Sequence, residues 1–315
     1  MAELSEQELL LLSTIIYEDS IVSGNFETIE SLVDYYISLD KEGAQAWGEG
    51  TNYCGDFGHM QTRLDDGEGG RIPQEEFMYI IKEINENHPE LLKLEIQYPV
   101  LSEYGRSDIT AVCLVNPDDG KATVVIRGTD TSYTAWRDNF EHAGESGLTP
   151  MEQSTVDYID MLAEMGITDI TLTGHSKAAH MAAVATIVRG DKISRCVGFD
   201  GQGGSDEFLY RYRDEIAANK YKITTFSAHN DIVHGIFPSI SGKTIYLENN
   251  IDPSCTQEGH YLTNLFRDNV FDENGNFSSI REQSIKFNYL FTSLDALLLL
   301  MPPGLEERFS DGWGT

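Results

Sequence analysis

Asp169-Ile-Thr-Leu-Thr-Gly-His-Ser-Lys-Ala-Ala-His180 is the stretch that decides the fold, and an alanine-rich segment at residues 181–188 follows it. The first half alternates Ile170 and Leu172 with threonines, which is the pattern of a short buried strand, and the second half consists of good helix formers. Small residues between a strand and a helix allow a tight turn that exposes Ser176 at its tip. The stretch therefore predicts a strand, an exposed serine and a helix in direct succession.

The turn has the pattern of a nucleophile elbow, Gly-x-Ser-x-Gly, with one departure. Ala178 stands at the position of the last glycine, and Ala179 follows it. An alanine still permits the close approach of strand and helix, with one additional methyl group. Because a five-residue match is common by chance, the strand before Ser176 and the helix after it are what favour this interpretation.

The composition indicates a globular chain that does not bind nucleic acid. The 315 residues are 40% apolar and 10% aromatic, enough for one large α/β domain, although the length alone would also permit two. With 52 acidic and 22 basic side chains, the formal net charge is -30, and such a field repels nucleic acid and anionic bilayers. We interpret most of these acidic side chains as part of a solvated surface.

Neither end of the chain predicts a membrane anchor. The N-terminus, Met1-Ala-Glu-Leu-Ser-Glu-Gln-Glu8, is acidic where a secretory signal would be basic. The apolar runs at Leu9–Ile16 and Leu294–Met301 are too short to span a bilayer. We therefore expect a cytoplasmic chain without stable membrane insertion, and export by another route stays open.

The four cysteines are scattered, which favours reduced thiols over a disulfide framework or a zinc site. They are Cys54, Cys113, Cys196 and Cys255. Cys54, Asp56 and His59 lie together in a glycine- and aspartate-rich stretch, but no second pair of ligands accompanies them, so we predict a loop there. We accordingly expect no metal and no cofactor.

Helices and buried strands alternate between residues 122 and 226. The predicted elements are the strands Ile109–Val115 and Ala122–Ile126, the helix Pro150–Gly166, the elbow strand and helix, the strand Ile193–Phe199, the helix Asp206–Asn219 and the strand Tyr221–Phe226. The turn at residues 116–120, Asn-Pro-Asp-Asp-Gly, predicts that the first two strands form a hairpin. The alternation is typical of an α/β fold, in which helices cover both faces of a mostly parallel sheet.

The first hundred residues are predicted to be mainly helical. Three helices are expected there, one capped by Ser5 and reaching about Tyr17, one capped by Asn25, and one that Pro73 opens and that reaches about Asn87. No clear linker separates this part from the rest. We predict a helical elaboration at residues 1–95 and an α/β domain at residues 96–315, packed together as one compact unit.

An exposed serine at an elbow needs a base to accept its proton and a carboxylate to orient that base. With such an elbow the expected chain order is serine, then Asp or Glu, then His. Functional groups of these sheets gather at the carboxyl ends of strands, where two aspartates lie. Asp231 is the first choice for the acid. Asp200 is the alternative, although Phe199-Asp-Gly201 is also a good turn before a helix.

The candidate bases are the histidines that lie beside Asp231 or follow it. They are His229, His234 and His260. His260 is the first choice, because it comes from a different segment than Asp231 and can approach Ser176 from another direction. His234 is the alternative, although it shares the loop of Asp231.

Other histidines and one tryptophan have different expected roles. His175 and His180 flank the serine, but an elbow points its hydroxyl away from its own helix, so we do not expect either of them to be the base. We place His175 in the substrate pocket with Trp136 and His142. His180 is expected to pack or form a hydrogen bond on its helix.

Hydrogen-bond donors must already be aimed at the oxygen on which charge develops during acyl transfer. The backbone amide of Lys177, directly after the serine, is one candidate donor. The loop after the strand Ala122–Ile126 supplies the second, the amide of Thr129, and we expect Arg127 to anchor this loop through a carboxylate. Residues 131–147, which mix aromatic and charged side chains, are a candidate for a short lid.

These features together resemble the fungal-type class 3 lipases of the α/β-hydrolase fold. The resemblance rests on Val125-Ile-Arg-Gly-Thr129, Trp136-Arg-Asp138, the elbow, an aspartate after the next-but-one strand and a late histidine, and it covers roughly residues 95–265. The chain also resembles lipase-like bacterial proteins whose elbow reads Gly-His-Ser-Lys-Gly-Gly and whose next strand ends in Phe-Asp-Gly. Here the elbow reads Gly174-His-Ser-Lys-Ala-Ala179.

The resemblance implies a Ser176, Asp231 and His260 triad with an oxyanion hole at Thr129 and Lys177. The expected activity is that of a serine esterase or lipase, with a small-molecule or lipid ester as substrate. Two alternatives stay open: a non-catalytic relative that binds a ligand or partner protein, and a serine peptidase or thioesterase. The oligomeric state is not predicted.

Overall fold

The computed structural model describes residues 3–39, 74–102, 108–128, 147–231, 233–250, 260, 262–278 and 280. The helices in these ranges are α1 (Glu6–Ile15), α2 (Ile29–Leu39), α3 (Gln74–Asn87), α4 (Pro89–Leu92), α5 (Pro150–Glu164), α6 (Lys177–Val188), α7 (Asp206–Arg211), α8 (Arg213–Asn219) and α9 (Leu262–Asp268). The strands are β1 (Glu95–Val100), β2 (Ala111–Val115), β3 (Ala122–Ile126), β4 (Ile170–His175), β5 (Ile193–Phe199), β6 (Ile223–Ala228) and β7 (Lys243–Leu247). Short 3-10 turns occur at Asp19–Val22, Lys220–Lys222 and Val233–Gly235.

The seven strands form one sheet in which their order along the chain is also their order in space. The pairs β1–β2 and β2–β3 are antiparallel, and β3 to β7 are parallel. The predicted hairpin is confirmed, with Ala111 opposite Ile126 and Val115 opposite Ala122. In its turn the Asn116 side chain accepts a hydrogen bond from the Asp118 N–H at 2.9 Å.

The sheet order explains which helices cover which face. Right-handed crossovers that step repeatedly to the next strand in one direction leave their helices on one face of a sheet. The steps from β3 to β6 all run in one direction, and α5 to α8 pack on a single face. We call these four helices the crossover layer. The opposite face therefore needs cover from elsewhere in the chain.

The crossover layer begins at a well-defined cap. Thr149 and Glu152 form a capping box at the start of α5, and Pro150 occupies the first turn, where its missing N–H removes no helical hydrogen bond. The alanine-rich α6 is buried on nearly all sides, between the sheet and α5. The helix predicted at residues 206–219 is interrupted at Tyr212, so that α7 and α8 replace it.

Residues 3–39 and 74–92, which include helices α1 to α4 and which we call the N-terminal layer, cover the second face together with α9. Ser5 and Glu8 form a capping box at the start of α1, as Ser5 was predicted to cap a helix. The apolar residues Leu9–Leu12, Ile15 and Ile16 are fully buried. The prediction that Asn25 caps α2 was wrong, because Thr28 accepts the Ser31 N–H at 3.2 Å and α2 begins at Ile29.

Four elements were missing from the sequence prediction: α4, β1, β7 and α9. Strand β1 contains Pro99, and it is an edge strand with an irregular register between Gln97 and Val100, where a missing N–H is tolerated. Strand β7 is the other edge, only five residues long. Strand β6 also begins two residues later than predicted and ends at Ala228.

The chain has the α/β-hydrolase fold, with a mostly parallel sheet, helices on both faces and a strand–serine–helix elbow at the centre. Both helical layers bury their apolar sides against this one sheet. The division of the chain at residue 95 stays a prediction. Within the described ranges, no helix is long and apolar enough to cross a membrane.

Candidate active site

Ser176 stands between β4 and α6 in a strained backbone conformation. Its φ and ψ angles are 60° and -128°, a region that non-glycine residues rarely occupy. The Ser176 N–H donates to the Phe199 carbonyl at 2.8 Å, which fixes the turn to the neighbouring strand. Gly174, His175 and Lys177 are buried, whereas Ser176 is partly exposed. The elbow thus presents the serine hydroxyl at the carboxyl end of the sheet.

Glycines on the strands make room for the two alanines of this elbow. A Cβ atom placed on Gly174 would lie 2.6 Å from the Ala178 methyl and 2.9 Å from the Ile126 carbonyl oxygen. Cβ atoms on Gly198 and Gly201 would lie 2.9 and 2.7 Å from the Ala179 methyl. The methyl groups therefore fill the space that these glycines leave, and α6 still packs closely on β4 and β5.

A chain of hydrogen bonds joins the serine to a histidine and an aspartate. The distance from Ser176 Oγ to His260 Nε2 is 2.8 Å, and the distance from His260 Nδ1 to Asp231 Oδ1 is 2.7 Å. A carboxylate oxygen can only accept, so Nδ1 carries a proton, and in the neutral ring Nε2 is left to accept from the serine hydroxyl. This is the arrangement of a nucleophile, its base and the group that orients the base.

Ser176 and Asp231 follow the ends of β4 and β6, and His260 comes later in the chain, in the order serine, aspartate, histidine. Asp231 lies in the loop after β6, and its side chain is fully buried. Its second oxygen, Oδ2, accepts the His234 N–H at 2.6 Å, which holds the carboxylate in place. The His260 side chain is 17% exposed and so remains reachable from solvent.

Asp200, the alternative acid, occupies a different place in the network. It is fully buried with a φ of 51°, and its Oδ1 accepts the Ala228 N–H at 2.7 Å, which joins the ends of β5 and β6. Burial, and then the negative charge of Asp231, raise the pKa of Asp200 well above its ordinary value. In the part of the chain that the structure describes, Asp200 makes no hydrogen bond to His260.

The other histidines near the elbow point elsewhere. His234, the alternative base, places Nε2 at 3.1 Å from the Tyr246 hydroxyl, and burial lowers its pKa. His180 places Nε2 at 2.7 Å from Glu152 Oε1, and neither side chain is exposed to solvent. Only His260, among the described histidines, has a ring nitrogen within hydrogen-bond distance of Ser176.

His175 is enclosed rather than open to a pocket. Its Nδ1 lies 2.8 Å from the Tyr17 hydroxyl, and its Nε2 lies 2.9 Å from the His260 carbonyl oxygen. Burial, and then the neighbouring His260, lower the pKa of His175 well below its ordinary value. The prediction that His175 lines the substrate pocket therefore has no support from its position, since its ring contacts protein groups on both edges.

The N-terminal layer also holds the loop that follows β3. Arg127 forms an ion pair with Asp19, which is the carboxylate expected to anchor this loop. Arg127 also donates to the Thr110 hydroxyl at 3.1 Å. A Cβ atom on Gly128 would lie 2.5 Å from the Tyr17 hydroxyl. Sequence reasoning missed Tyr17 and Asp19, because nothing in their local pattern shows which distant strand they meet.

Three of the predicted site residues, Thr129, Trp136 and His142, lie outside the described residues, as does nearly all of the candidate lid at residues 131–147. Lys177, the other predicted oxyanion residue, is the first residue of α6, and it is buried. The buried Cys113 and Cys196 are free thiols, as expected from their spacing.

Among the residues that the structure describes, two groups of histidines and carboxylates are compact enough to hold a metal ion. They are His175 with Asp200 and His260, and Glu8 with His88 and Glu90. In the first group both ring nitrogens of each histidine already have hydrogen-bond partners, so an ion would have to displace them. The expectation that the chain uses no metal stays a prediction.

Residues 102–276, more than half of the chain, match the Mbeg1-like family. The chain belongs to this family. The match begins before β2 and includes Ser176, Asp231 and His260, whereas α1 to α4 and β1 precede it. No curated protein matches the chain.

Several solved lipase structures resemble the chain at low identity. They include the Lip2 lipase from Yarrowia lipolytica (14% identity, 61% of this chain and 72% of that chain, TM-score 0.40), a triacylglycerol lipase from Penicillium expansum (12%, 50% and 71%, 0.32) and a Rhizomucor miehei lipase propeptide complex (13%, 55% and 69%, 0.37). At these identities and TM-scores the likeness supports no conclusion about the activity of this chain.

Proposed function

We propose that this protein is a serine esterase that hydrolyses carboxylic esters, lipid esters among them, through a Ser176–His260–Asp231 triad. The observation that carries the proposal is the continuous chain of hydrogen bonds from Ser176 Oγ through both nitrogens of His260 to Asp231. The strained backbone of Ser176 adds support, because such strain is typical of elbows that expose a nucleophile.

In the first half of the reaction, Ser176 Oγ attacks the acyl carbon while His260 Nε2 accepts the hydroxyl proton. The tetrahedral intermediate collapses, the bond from carbon to the alcohol oxygen breaks, and His260 returns the proton to the departing alcohol. Asp231 stays ionised throughout and stabilises the imidazolium that forms. The product of this half is an acyl group attached to Ser176 and a free alcohol.

In the second half, water takes the place of the alcohol. His260 accepts a proton from the water as its oxygen attacks the acyl carbon, and the same proton then goes to Ser176 Oγ as the acyl bond breaks. The products are a carboxylic acid and the free serine. The backbone amides of Lys177 and Thr129 are the proposed donors to the oxyanion in both halves.

The charge of the chain bears on the substrate. A net charge of -30 disfavours adsorption to anionic lipid surfaces, so we propose soluble esters or neutral and zwitterionic lipids as substrates. We also propose that the chain is related to bacterial lipase-like proteins whose elbow reads Gly-His-Ser-Lys-Gly-Gly. It fits an elbow in which Ala178 and Ala179 fill space left by opposing glycines.

Turnover of p-nitrophenyl esters from acetate to palmitate tests the proposal. Ser176→Ala should abolish turnover, a loss of at least about 10³-fold, because no other group replaces the nucleophile. Ser194→Ala is the matched control: Ser194 is exposed and donates to the Ile170 carbonyl at 3.3 Å, so this variant should keep the wild-type rate. The chain-length profile separates an esterase from a lipase.

The two buried aspartates provide a second arm of the same experiment. Asp231→Asn should lower turnover by about 10⁴-fold, because the amide no longer enforces the tautomer of His260. Asp200→Asn keeps an acceptor for the Ala228 N–H and should retain activity. Loss of turnover in Asp200→Asn alone would contradict the assigned acid. A folded wild type that cleaves thioesters or peptides but no oxygen ester would place the chain in another hydrolase class.

A further inference from the structure

Two polar contacts join the end of α1 to β4 in register. Ser13 Oγ lies 3.0 Å from Thr173 Oγ1, and the Tyr17 hydroxyl lies 2.8 Å from His175 Nδ1. Residues one helical turn apart share a face of a helix, and residues two apart share a face of a strand. Ser13 lies in α1 and Tyr17 lies in the turn two residues after its last residue, Ile15, so the end of α1 and this turn run along β4 beneath the elbow. Ser13 and Thr173 are fully buried.

The second of these contacts continues to the candidate base. His175 Nε2 lies 2.9 Å from the backbone carbonyl oxygen of His260, and the two imidazole rings lie 4.6 Å apart, inclined by 33°. A continuous path therefore leads from the Tyr17 hydroxyl through the His175 ring to the main chain of His260. No atom on this path touches the reacting serine oxygen, so any role in catalysis must act through His260.

The chemistry of the partners fixes where the proton of His175 lies. A carbonyl oxygen can only accept a hydrogen bond, so Nε2 must carry the proton and donate it to His260. In a neutral imidazole the other nitrogen, Nδ1, then has only a lone pair and must accept from the Tyr17 hydroxyl. The His260 carbonyl oxygen thus selects the tautomer of His175, and the Tyr17 hydroxyl holds the ring in the orientation in which Nε2 can donate to that oxygen.

We infer that Tyr17 and His175 are positioning residues for the base of the proposed triad: Tyr17 fixes the orientation of the His175 ring, and His175 fixes the backbone of His260. The inference rests on the proposed function and deepens it, because it makes the turn after α1 part of the active site. Tyr17 also borders Gly128, directly before the proposed oxyanion residue Thr129. One side chain of the N-terminal layer therefore contacts the supports of both the base and the oxyanion loop.

A Tyr17→Phe variant tests the inference with little change in volume. Without the hydroxyl, the His175 ring loses the hydrogen bond to Nδ1 that orients it, so its Nε2–H holds the His260 carbonyl less firmly. We expect kcat to fall about tenfold with KM nearly unchanged. Tyr158→Phe is the matched control, since its hydroxyl donates from α5 to the Tyr98 carbonyl of β1 at 2.8 Å, and its kcat should change less than about twofold.

Two substitutions of His175 separate positioning from packing. The terminal amide of glutamine in His175→Gln reaches the place of Nε2 and can donate to the His260 carbonyl, whereas the shorter asparagine in His175→Asn reaches only the place of Nδ1. We expect His175→Gln to keep several times more kcat than His175→Asn. Adding Tyr17→Phe to His175→Gln should cause little further loss of kcat, because the Nδ1 atom that accepts from the Tyr17 hydroxyl is already absent.

A readout that needs no turnover completes the experiment. Imidazole ¹⁵N NMR of the wild type should give His175 with the proton on Nε2, assigned by the signal that disappears in His175→Gln. In Tyr17→Phe the ¹⁵N signal of Nδ1 should move downfield, because this nitrogen loses its hydrogen bond, while Tyr158→Phe should match the wild type. If the wild type hydrolyses no ester, the proposed function fails while the Nδ1 signal still tests the Tyr17 contact.

Two results would overturn the inference. One is a wild-type His175 protonated on Nδ1, which could not donate to His260. The other is a Tyr17→Phe variant whose kcat and His175 ¹⁵N signals match those of Tyr158→Phe.

Discussion

The two helical layers reach the elbow through two histidines that are five residues apart and behave differently. His180, in α6, meets Glu152 of α5 within the crossover layer, and neither side chain is exposed. His175, at the end of β4, meets Tyr17 at the end of α1 through a hydrogen bond between neutral groups. One contact involves a carboxylate and lies inside a single layer, whereas the other joins a layer to the sheet.

We expect the two contacts to have different roles, the Glu152 contact in stability and the Tyr17 contact in positioning the site. The Glu152 contact fixes the helix that carries Ser176, and a buried carboxylate without its partner is costly, so we expect this contact to dominate the stability of the layer. The Tyr17 contact involves smaller energies but leads to the backbone of His260. We therefore expect changes in the crossover layer to act mainly on folding and changes in the N-terminal layer to act mainly on the site.

The largest expected effect on stability is that of Glu152→Ala. This change leaves His180 buried without its carboxylate and removes the acceptor of the Thr149 N–H in the capping box. We expect the free energy of unfolding to fall by about 3–5 kcal/mol, measured by urea denaturation.

Glu164→Ala, at the exposed end of the same helix, is the control and should change the stability by less than about 0.5 kcal/mol. Tyr17→Phe should lower the free energy of unfolding by about 1–3 kcal/mol. If Glu152→Ala lowers it no more than Tyr17→Phe does, the proposed difference between the two layers is wrong.

A smaller effect is expected from His88, the charged histidine of the N-terminal layer. Its ring lies 3.8 Å from Glu8 Oε1 and 3.7 Å from Glu83 Oε1. Burial alone would lower the His88 pKa, but the two glutamates outweigh it and raise the pKa from 6.5 to about 9. The folded state thus binds this proton more tightly than the unfolded state does.

The stabilisation from His88 is therefore fully present below about pH 6.5 and is lost as the pH rises through about 9. We expect the wild type to lose roughly 1–2 kcal/mol over this window, because the cluster is partly solvated. His88→Gln should flatten the dependence, in urea unfolding at pH 6, 7.5 and 9.5, while His229→Gln should keep it. Equal slopes for all three proteins would rule out the ion pairs of His88 as its source.

Much of the fold follows from local sequence patterns. The strand, elbow and helix around Ser176 occur in the predicted succession, because alternating apolar residues followed by an alanine-rich run give a strong signal. The edge strands β1 and β7 were missed. Edge strands are short and half exposed, and β1 contains Pro99, so neither strand shows a clear alternation of apolar and polar residues.

The site was only partly accessible to sequence reasoning. Chain order and strand ends favoured Asp231 and His260, and the structure brings both to Ser176. The contact between Tyr17 and His175 joins residues 158 positions apart, so no local pattern could predict it. His175 was assigned to the pocket because it flanks the serine, whereas its burial depends on how the N-terminal layer covers the sheet.

Phosphonylation of the protein by a fluorophosphonate, followed by intact-mass analysis and peptide mapping, tests the central claim most directly. The serine oxygen displaces fluoride from phosphorus, and His260 accepts the serine proton, so the reaction requires an activated serine. We predict one adduct, on Ser176, that is absent from Ser176→Ala and forms far more slowly in His260→Gln. A folded wild type that stays unmodified, or an adduct on another residue, would contradict the triad.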